Sequence, residues 1–253
     1  MTERNCQNRK KMYNFYRWLF VIRIQQGDRH VRIGIVYTGI TKELVEMVEC
    51  ELKRYFTDPK DSFKNYTAPD IIDDVKSRGY VSSDMREKML RIFYQTADDQ
   101  MDIVFNICSS LREVAEEARI SLEKRGIPLV LFDERMIINA VKCFQRIGIA
   151  ATLDSALATT KRCVERYAEK EIRSVEILPI RVKDSYGLGQ GELGERCRKA
   201  VKESGELPEI IILAQGSMAC VEEELEKEFG IPVLSGLHSG VQELWDTCRE
   251  MRT

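Results

Sequence analysis

Cys108 ends a short apolar run, Asp102-Ile103-Val104-Phe105-Asn106-Ile107-Cys108, and two hydroxyls, Ser109 and Ser110, follow it before a helical pattern begins at Leu111. A thiol in that setting does chemistry as a thiolate nucleophile or as an acid/base. If the run is a buried parallel strand, Cys108 lies at its carboxyl end and at the next helix's N-terminus. Unpaired N–H groups there favour negative charge, and open α/β sheets bind their ligands at that edge. Asn106, polar inside the run, reads as a hydrogen-bonding residue of the strand edge or cleft. The other seven cysteines, at 6, 50, 143, 163, 197, 220 and 248, form no Cys-x-x-Cys pair and no Cys/His cluster. They read as buried small side chains in a reducing, cytoplasmic setting, with no metal site expected.

One further motif invites a cofactor. Gly189-Gln190-Gly191-Glu192-Leu193-Gly194 has the Gly-x-Gly-x-x-Gly form of a dinucleotide loop. Its context fails, because it starts some residues after the preceding strand, and Glu209, near the expected offset, precedes a strand instead of ending one. A flexible loop, a lid over the cleft, is the better reading, and no cofactor is expected.

The elements that must position these residues follow from periodicity. From Arg32 onward, apolar runs alternate with helical patterns, as in βαβ units around a parallel sheet. Strands are expected at 33–37, 103–107, 129–132, 148–152, 175–179, 210–214 and 232–234, with a weaker one in 63–67. Helices are expected near 42–55, 84–98, 111–124, 135–146, 156–169, 192–203, 218–229 and 241–251. Asp84 and Ser110 are expected as N-caps, and Asp154 and Ser155 as the opening of the 156–169 helix. Gly126 and Gly230 sit where C-terminal glycines belong, each followed by Ile-Pro and an apolar run. That repeated phrase divides the chain into two similar halves about a hundred residues apart. The expected fold is α/β: two similar three-layer lobes with parallel four-stranded sheets, related by a pseudo-two-fold axis, with a cleft between them. Residues 32–133 plus 236–253 make the first lobe and 134–235 the second.

Composition narrows the partners. The 253 residues are 43% hydrophobic and 32% charged with a net charge of −2, which argues against nucleic acid. The first 30 residues carry a net charge of +5 and five aromatics, and 1–31 are expected to be a poorly ordered basic extension outside both lobes. A membrane-surface helix or partner-binding arm is the alternative for that extension, but its apolar stretch is too short for a membrane span. The segment 56–64 reads as a surface turn, and the glutamates of 222–228 as a solvated helix face.

Four segments together resemble the aspartate/glutamate/hydantoin racemase superfamily: 32–39 (RIGIVYTG), 106–110 (NICSS), 133–136 (DERM) running into 146–153 (RIGIAATL), and 212–218 (ILAQGSM). The resemblance implies a cofactor-independent enzyme with its active site between the lobes, where a cysteine from each lobe flanks the substrate's α-carbon. It carries the first cysteine to Cys108, the carboxylate-holding hydroxyls to Ser109 and Ser110, and the loop after the first strand to Thr38 and Gly39. The second-lobe motif of the family has the form Leu-Gly-Cys-x-x-Met. Here it reads Leu213-Ala214-Gln215-Gly216-Ser217-Met218, so Gln215 stands where the second cysteine belongs.

A carboxamide neither takes nor gives a proton near pH 7, though it can hold a carboxylate or an enolate oxygen. Three readings stay open. Another group, Cys220, His238 or Asp154, supplies the second proton relay of an amino-acid racemase or epimerase. Alternatively, a single cysteine carries out a decarboxylation or lyase reaction, or the site binds a small anion without turnover. The expected activity is that of a cofactor-independent isomerase on a small carboxylate. Cys108 acts as acid/base, Thr38, Gly39, Ser109, Ser110, Gln215 and Ser217 orient the substrate, and a homo-oligomer is left open.

Overall fold

The computed structural model describes residues 30–252, so residues 1–29 of the expected extension lie outside the described residues, while Val31 is buried in the first sheet's core instead of belonging to the extension. Two four-stranded, all-parallel sheets organise the rest, as the alternating pattern predicts. The first contains β1 (Arg32–Tyr37), β2 (Ser62–Thr67), β3 (Ile103–Asn106) and β4 (Leu129–Leu131) in the order β2-β1-β3-β4. The second contains β5 (Arg146–Ala151), β6 (Glu176–Arg181), β7 (Ile210–Leu213) and β8 (Val233–Ser235) in the order β6-β5-β7-β8. The registers coincide as well. Ile33 pairs with Ile103 as Ile147 pairs with Ile210, and Val36 pairs with Asn106 as Ala150 pairs with Leu213.

Helices cover both faces of each sheet. On one face of the first lie α1 (Lys42–Tyr55) and the last helix, α9 (Gly236–Arg252), whose Leu237, Val241 and Leu244 pack with Ile33, Ile35 and Phe105. On the other lie α2 (Pro69–Arg78), α3 (Ser83–Asp98) and α4 (Arg112–Glu123), facing Val36, Val104 and Leu131. The second sheet is flanked by α5 (Glu134–Cys143) and α6 (Asp154–Lys170) against Ile147, Ile149 and Ile212. Its opposite face carries α7 (Gln190–Glu203) and α8 (Glu222–Phe229) against Ala150, Ile211 and Leu213. Successive residues of the inner strands are buried in opposite layers, which is why these strands read as continuous apolar runs.

Several local expectations are corrected. The helix α2 escapes the periodicity reading, although Pro69 at its first turn and Gly79 at φ 77° bound it. Ser82, not Asp84, caps α3, accepting from the Met85 N–H at 3.4 Å. Ser110 caps nothing: Leu111 holds the N-cap position of α4 without a side-chain bond. Leu153 likewise precedes α6, leaving Asp154 in its first turn. The expected 218–229 helix is a 3₁₀ turn, Gly216–Val221, followed by α8. Within α8 the glutamates are not all solvated, since Glu222 is buried and accepts the Ser235 N–H at 2.8 Å. In the 56–64 turn, Asp61 is buried and paired with Arg252 at 2.6 Å.

Two glycine-rich segments turn out helical. The last helix begins at Gly236 instead of Val241, because Gly236 and Gly240 lie against Phe132 and leave no room for a Cβ. Close approach, not backbone freedom, explains them. Similarly, Gly189 is the N-cap of α7, and Gly194 is buried where a Cβ would press on the Glu224 carboxylate of α8. The expected lid over 189–194 is therefore the first turns of a packed helix.

Candidate active site

The carboxyl ends of the strands converge on a cavity of about 410 Å³ between the two sheets. Thr38 and Gly39 after β1, and Cys108, Ser109 and Ser110 after β3, line it from the first sheet. Thr152 and Leu153 after β5, the 185–190 segment after β6, and Gln215, Gly216, Ser217 and Cys220 after β7 line it from the second. Thus every residue expected to orient a substrate lines one cavity.

Cys108 is 6% exposed and surrounded by donors. The Thr38 hydroxyl donates to its sulfur at 2.6 Å, and the backbone N–H groups of Ser110 and Leu111 face it from the start of α4. Behind it, the Asn106 amide donates to the Cys108 carbonyl at 3.0 Å and fixes the turn that presents the thiol. The net electrostatic result nonetheless differs from the sequence expectation. Burial pushes the Cys108 thiol above its ordinary 9.0, outweighing the lowering by Thr38 and the two N–H groups, and the buried Asp133 carboxylate adds to the rise. The direction of that shift favours the neutral thiol over a preformed thiolate.

Gln215 occupies the matching place in the second sheet. Its Oε1 accepts the Thr152 backbone N–H at 2.7 Å and the Thr152 hydroxyl at 3.0 Å. Because the backbone N–H can only donate, the carboxamide must turn its oxygen toward Thr152, which leaves its NH₂ on the side away from that N–H. Thr38 and Thr152 each follow the first inner strand of their sheets, and Cys108 and Gln215 each lie two residues past the second. The Thr38–Cys108 and Thr152–Gln215 bonds are thus the same contact repeated about the pseudo-two-fold axis.

The three sequence candidates for a second acid/base separate. Cys220 lines the cavity, half-buried, with its thiol donating to the Ser217 carbonyl at 3.4 Å and pushed upward by burial. Asp154 does not line it and pairs with Arg181 at 2.5 Å on the exposed start of α6. His238, in the first turn of α9, faces Glu51 at 3.1 Å in a different cavity. Both were nearest by sequence to the site loops, but the first turns of α6 and α9 point them elsewhere. Ser110 also spans the cleft, its hydroxyl 3.1 Å from that of Ser155.

Tyr186 joins the site without any signal in the sequence. It lines the cavity from the segment joining β6 to α7, which carried no signal beyond the neighbouring glycines. Beneath the site, Arg112 of α4 is wholly buried and pairs with Asp133 at the exit of β4 and with Glu116 at 3.0 Å. Glu116 continues to Arg166 of α6 at 2.5 Å, so one ionic chain ties the helix carrying the Cys108 turn to the second sheet's layers. Among the described residues, no helix is long and apolar enough to cross a membrane.

Residues 38–244 match the family model described as Asp/Glu/Hydantoin racemase. Among solved structures, the chain is similar to a glutamate racemase from Francisella tularensis in complex with D-glutamate, at 12% identity and a TM-score of 0.69, over 88% of this chain and 82% of that one. An allantoin racemase from Klebsiella pneumoniae matches at 17% identity and a TM-score of 0.57, over 87% and 88% of the two chains. An unliganded arylmalonate decarboxylase matches at 17% identity and a TM-score of 0.52, over 87% and 91%. Identities this low speak to the fold alone. No curated protein matches by sequence.

Proposed function

The chain belongs to the Asp/Glu/hydantoin racemase family, and on that premise we propose that it acts on the α-carbon of a small carboxylate through a single thiol. Cys108 would serve as proton donor on one face, in a decarboxylation of a 2-substituted malonate type. The sequence favoured a two-base racemase or epimerase, and the geometry of Gln215 moves the reading to the one-thiol alternative. Its oxygen is held by Thr152, so the face opposite Cys108 offers a hydrogen-bond donor where a second base would stand.

In the proposed reaction one carboxylate leaves as carbon dioxide, and the electron pair of the broken C–C bond passes into the remaining carboxylate as an enediolate. The Ser109 and Ser110 hydroxyls and the Gln215 amide would stabilise that charge, while the Thr38 hydroxyl stays on the Cys108 sulfur. The Cys108 S–H proton then forms the new C–H bond, and water reprotonates the sulfur. A buried neutral thiol suits this role better than that of a base, which must be ionised before it can act. The family's reach supports the substrate class: the Francisella relative was solved with D-glutamate, and an arylmalonate decarboxylase shares the fold.

The test is turnover in deuterated water. 2-Substituted malonates should lose one carboxylate and gain a single deuterium at the α-carbon, as one enantiomer. Interconversion of amino-acid enantiomers with α-proton exchange in the unaltered protein would instead favour the two-thiol racemase. That second reading rests on one observation, the presence of Cys220 on the same cavity wall.

A further inference from the structure

We propose that Tyr186 closes the cleft over Cys108 and donates its hydroxyl to the carboxylate bound beside Gly39. The inference rests on the small-carboxylate reading above for the identity of the ligand, while its structural half, the cover, rests on Tyr186 packing against Gly39, the neighbour of the Thr38 that donates to the Cys108 sulfur.

Tyr186 arises from the second sheet's side yet packs on the first. Its hydroxyl lies against Gly39 so closely that a Cβ at residue 39 would overlap it, and Ile72 of α2 flanks the same position at 3.7 Å. The Lys76 ammonium, also on α2, sits 3.7 Å over the centre of its ring. A cation at that distance over an aromatic face is attractive and fixes the ring's orientation. The backbone that delivers Tyr186 is a tight turn, with Asp184 at φ 51° and Gly187 at φ 80° on either side. A non-glycine residue in the left-handed region costs free energy, and the inference from such strain runs toward a functional constraint. The Ser185 hydroxyl, donating to the Lys183 carbonyl at 2.7 Å, braces the turn.

The two sheets differ at this point. Five residues past β2 stands Ile72, and five residues past β6 stands Tyr186, and both line the cavity. The first lobe offers a hydrocarbon there and the second a phenol. Burial raises the Tyr186 phenol above its ordinary value, and Cys108 and Asp73 push the same way, so at neutral pH it remains protonated and can only donate to an anion. With Ser109 and the Gln215 amide it gives the cavity donors from both sheets.

The experiment measures N-ethylmaleimide labelling of Cys108 at pH 8.5 by peptide mass, with and without malonate, in the full chain. Tyr186→Ala should expose the thiol and speed labelling about tenfold. Gly39→Ala, which drives the phenol out of its seat, should do the same by an independent route. Tyr186→Phe keeps the ring under Lys76 and should leave the unliganded rate within about twofold, while raising the malonate concentration for half-protection about tenfold. Labelling of Tyr186→Ala and Gly39→Ala at the unaltered rate overturns the cover. Half-protection of Tyr186→Phe at the unaltered concentration overturns the donor. Failure of malonate to protect even the unaltered protein overturns the small-carboxylate reading and the donor with it, while the unliganded rates still decide the cover.

Discussion

The two lobes share strand order, register and even a threonine bond, yet they present different groups to the cavity. In the first, Thr38 donates to a sulfur. In the second, Thr152 donates to a carboxamide oxygen. The same scaffold contact therefore holds a thiol in one lobe and a carboxamide in the other. The following segments diverge too: Cys108 leads through two serines to α4, whereas Gln215 opens the 3₁₀ turn that delays α8. The difference teaches that the pseudo-symmetry of the fold sets positions, while the residue filling each position decides whether the site has one proton-carrying face or two.

The comparison breaks most completely at Cys108. Cys108→Ala should abolish turnover, by about 10⁴-fold or more, because on the proposed reading Cys108 alone delivers the proton to the α-carbon. Cys220→Ser should change the rate less than about twofold, and if it instead rivals Cys108→Ala, the second lobe is supplying a base after all. The pH profile sharpens the same point. On the proposed mechanism the protonated thiol is the active form, and burial pushes its pKa above the ordinary 9.0. The rate should therefore be flat through neutral pH and fall only as pH climbs past that value. A base mechanism would show the reverse, a rate rising with pH as the thiolate forms.

Making the lobes alike is the next test. Gln215→Ala removes the donor from the second face and should cost about 10²–10³-fold in turnover, the usual effect of losing one oxyanion-holding group. Gln215→Cys restores a thiol opposite Cys108, and α-proton exchange with loss of stereochemical purity should appear, read by chiral chromatography in deuterated water. The paired threonines should respond unequally. Thr38→Val strips the one side-chain donor from the Cys108 sulfur and should lower kcat about tenfold, consistent with one hydrogen bond of about 1.4 kcal/mol. Thr152→Val leaves the backbone N–H on Gln215 and should cost only about threefold.

Much of this asymmetry was legible in the sequence because it depends on local order. The buried inner strands announced themselves as apolar runs, the Gly126 and Gly230 phrases gave the repeat, and position relative to the runs brought Cys108 and Gln215 into correspondence. What escaped depended on tertiary approach. Gly236, Gly240 and Gly194 looked like loop residues because the sequence does not record that Phe132 or Glu224 presses on them. Tyr186 reaches Gly39 only because the β6–α7 turn crosses the cleft, and no periodicity encodes a crossing. Cys108's ionisation was misjudged for a related reason. The helix terminus and its N–H donors were foreseeable, but the depth of burial that outweighs them was not.

The smallest expected effect lies at the exits of the two fourth strands. Past β4 the chain meets Asp133, fully enclosed and paired with the equally enclosed Arg112. Past β8 it meets His238, whose side chain is 44% exposed and faces Glu51. Glu51 raises the His238 pKa above its ordinary 6.5, with Glu222 adding to the rise against burial and Arg54. A raised histidine pKa means that the folded state holds the proton more tightly, so the stabilisation is complete below about pH 6.5 and fades as pH rises through the folded-state value. Exposure screens the pair, so His238→Gln should lower Tm by about 2 °C or less at pH 6 and leave it unchanged at pH 9. Thermal melts across that range check the prediction at the His238 exit. An equal loss of Tm at both pH values would mean that His238 acts through packing alone, with no contribution from its proton.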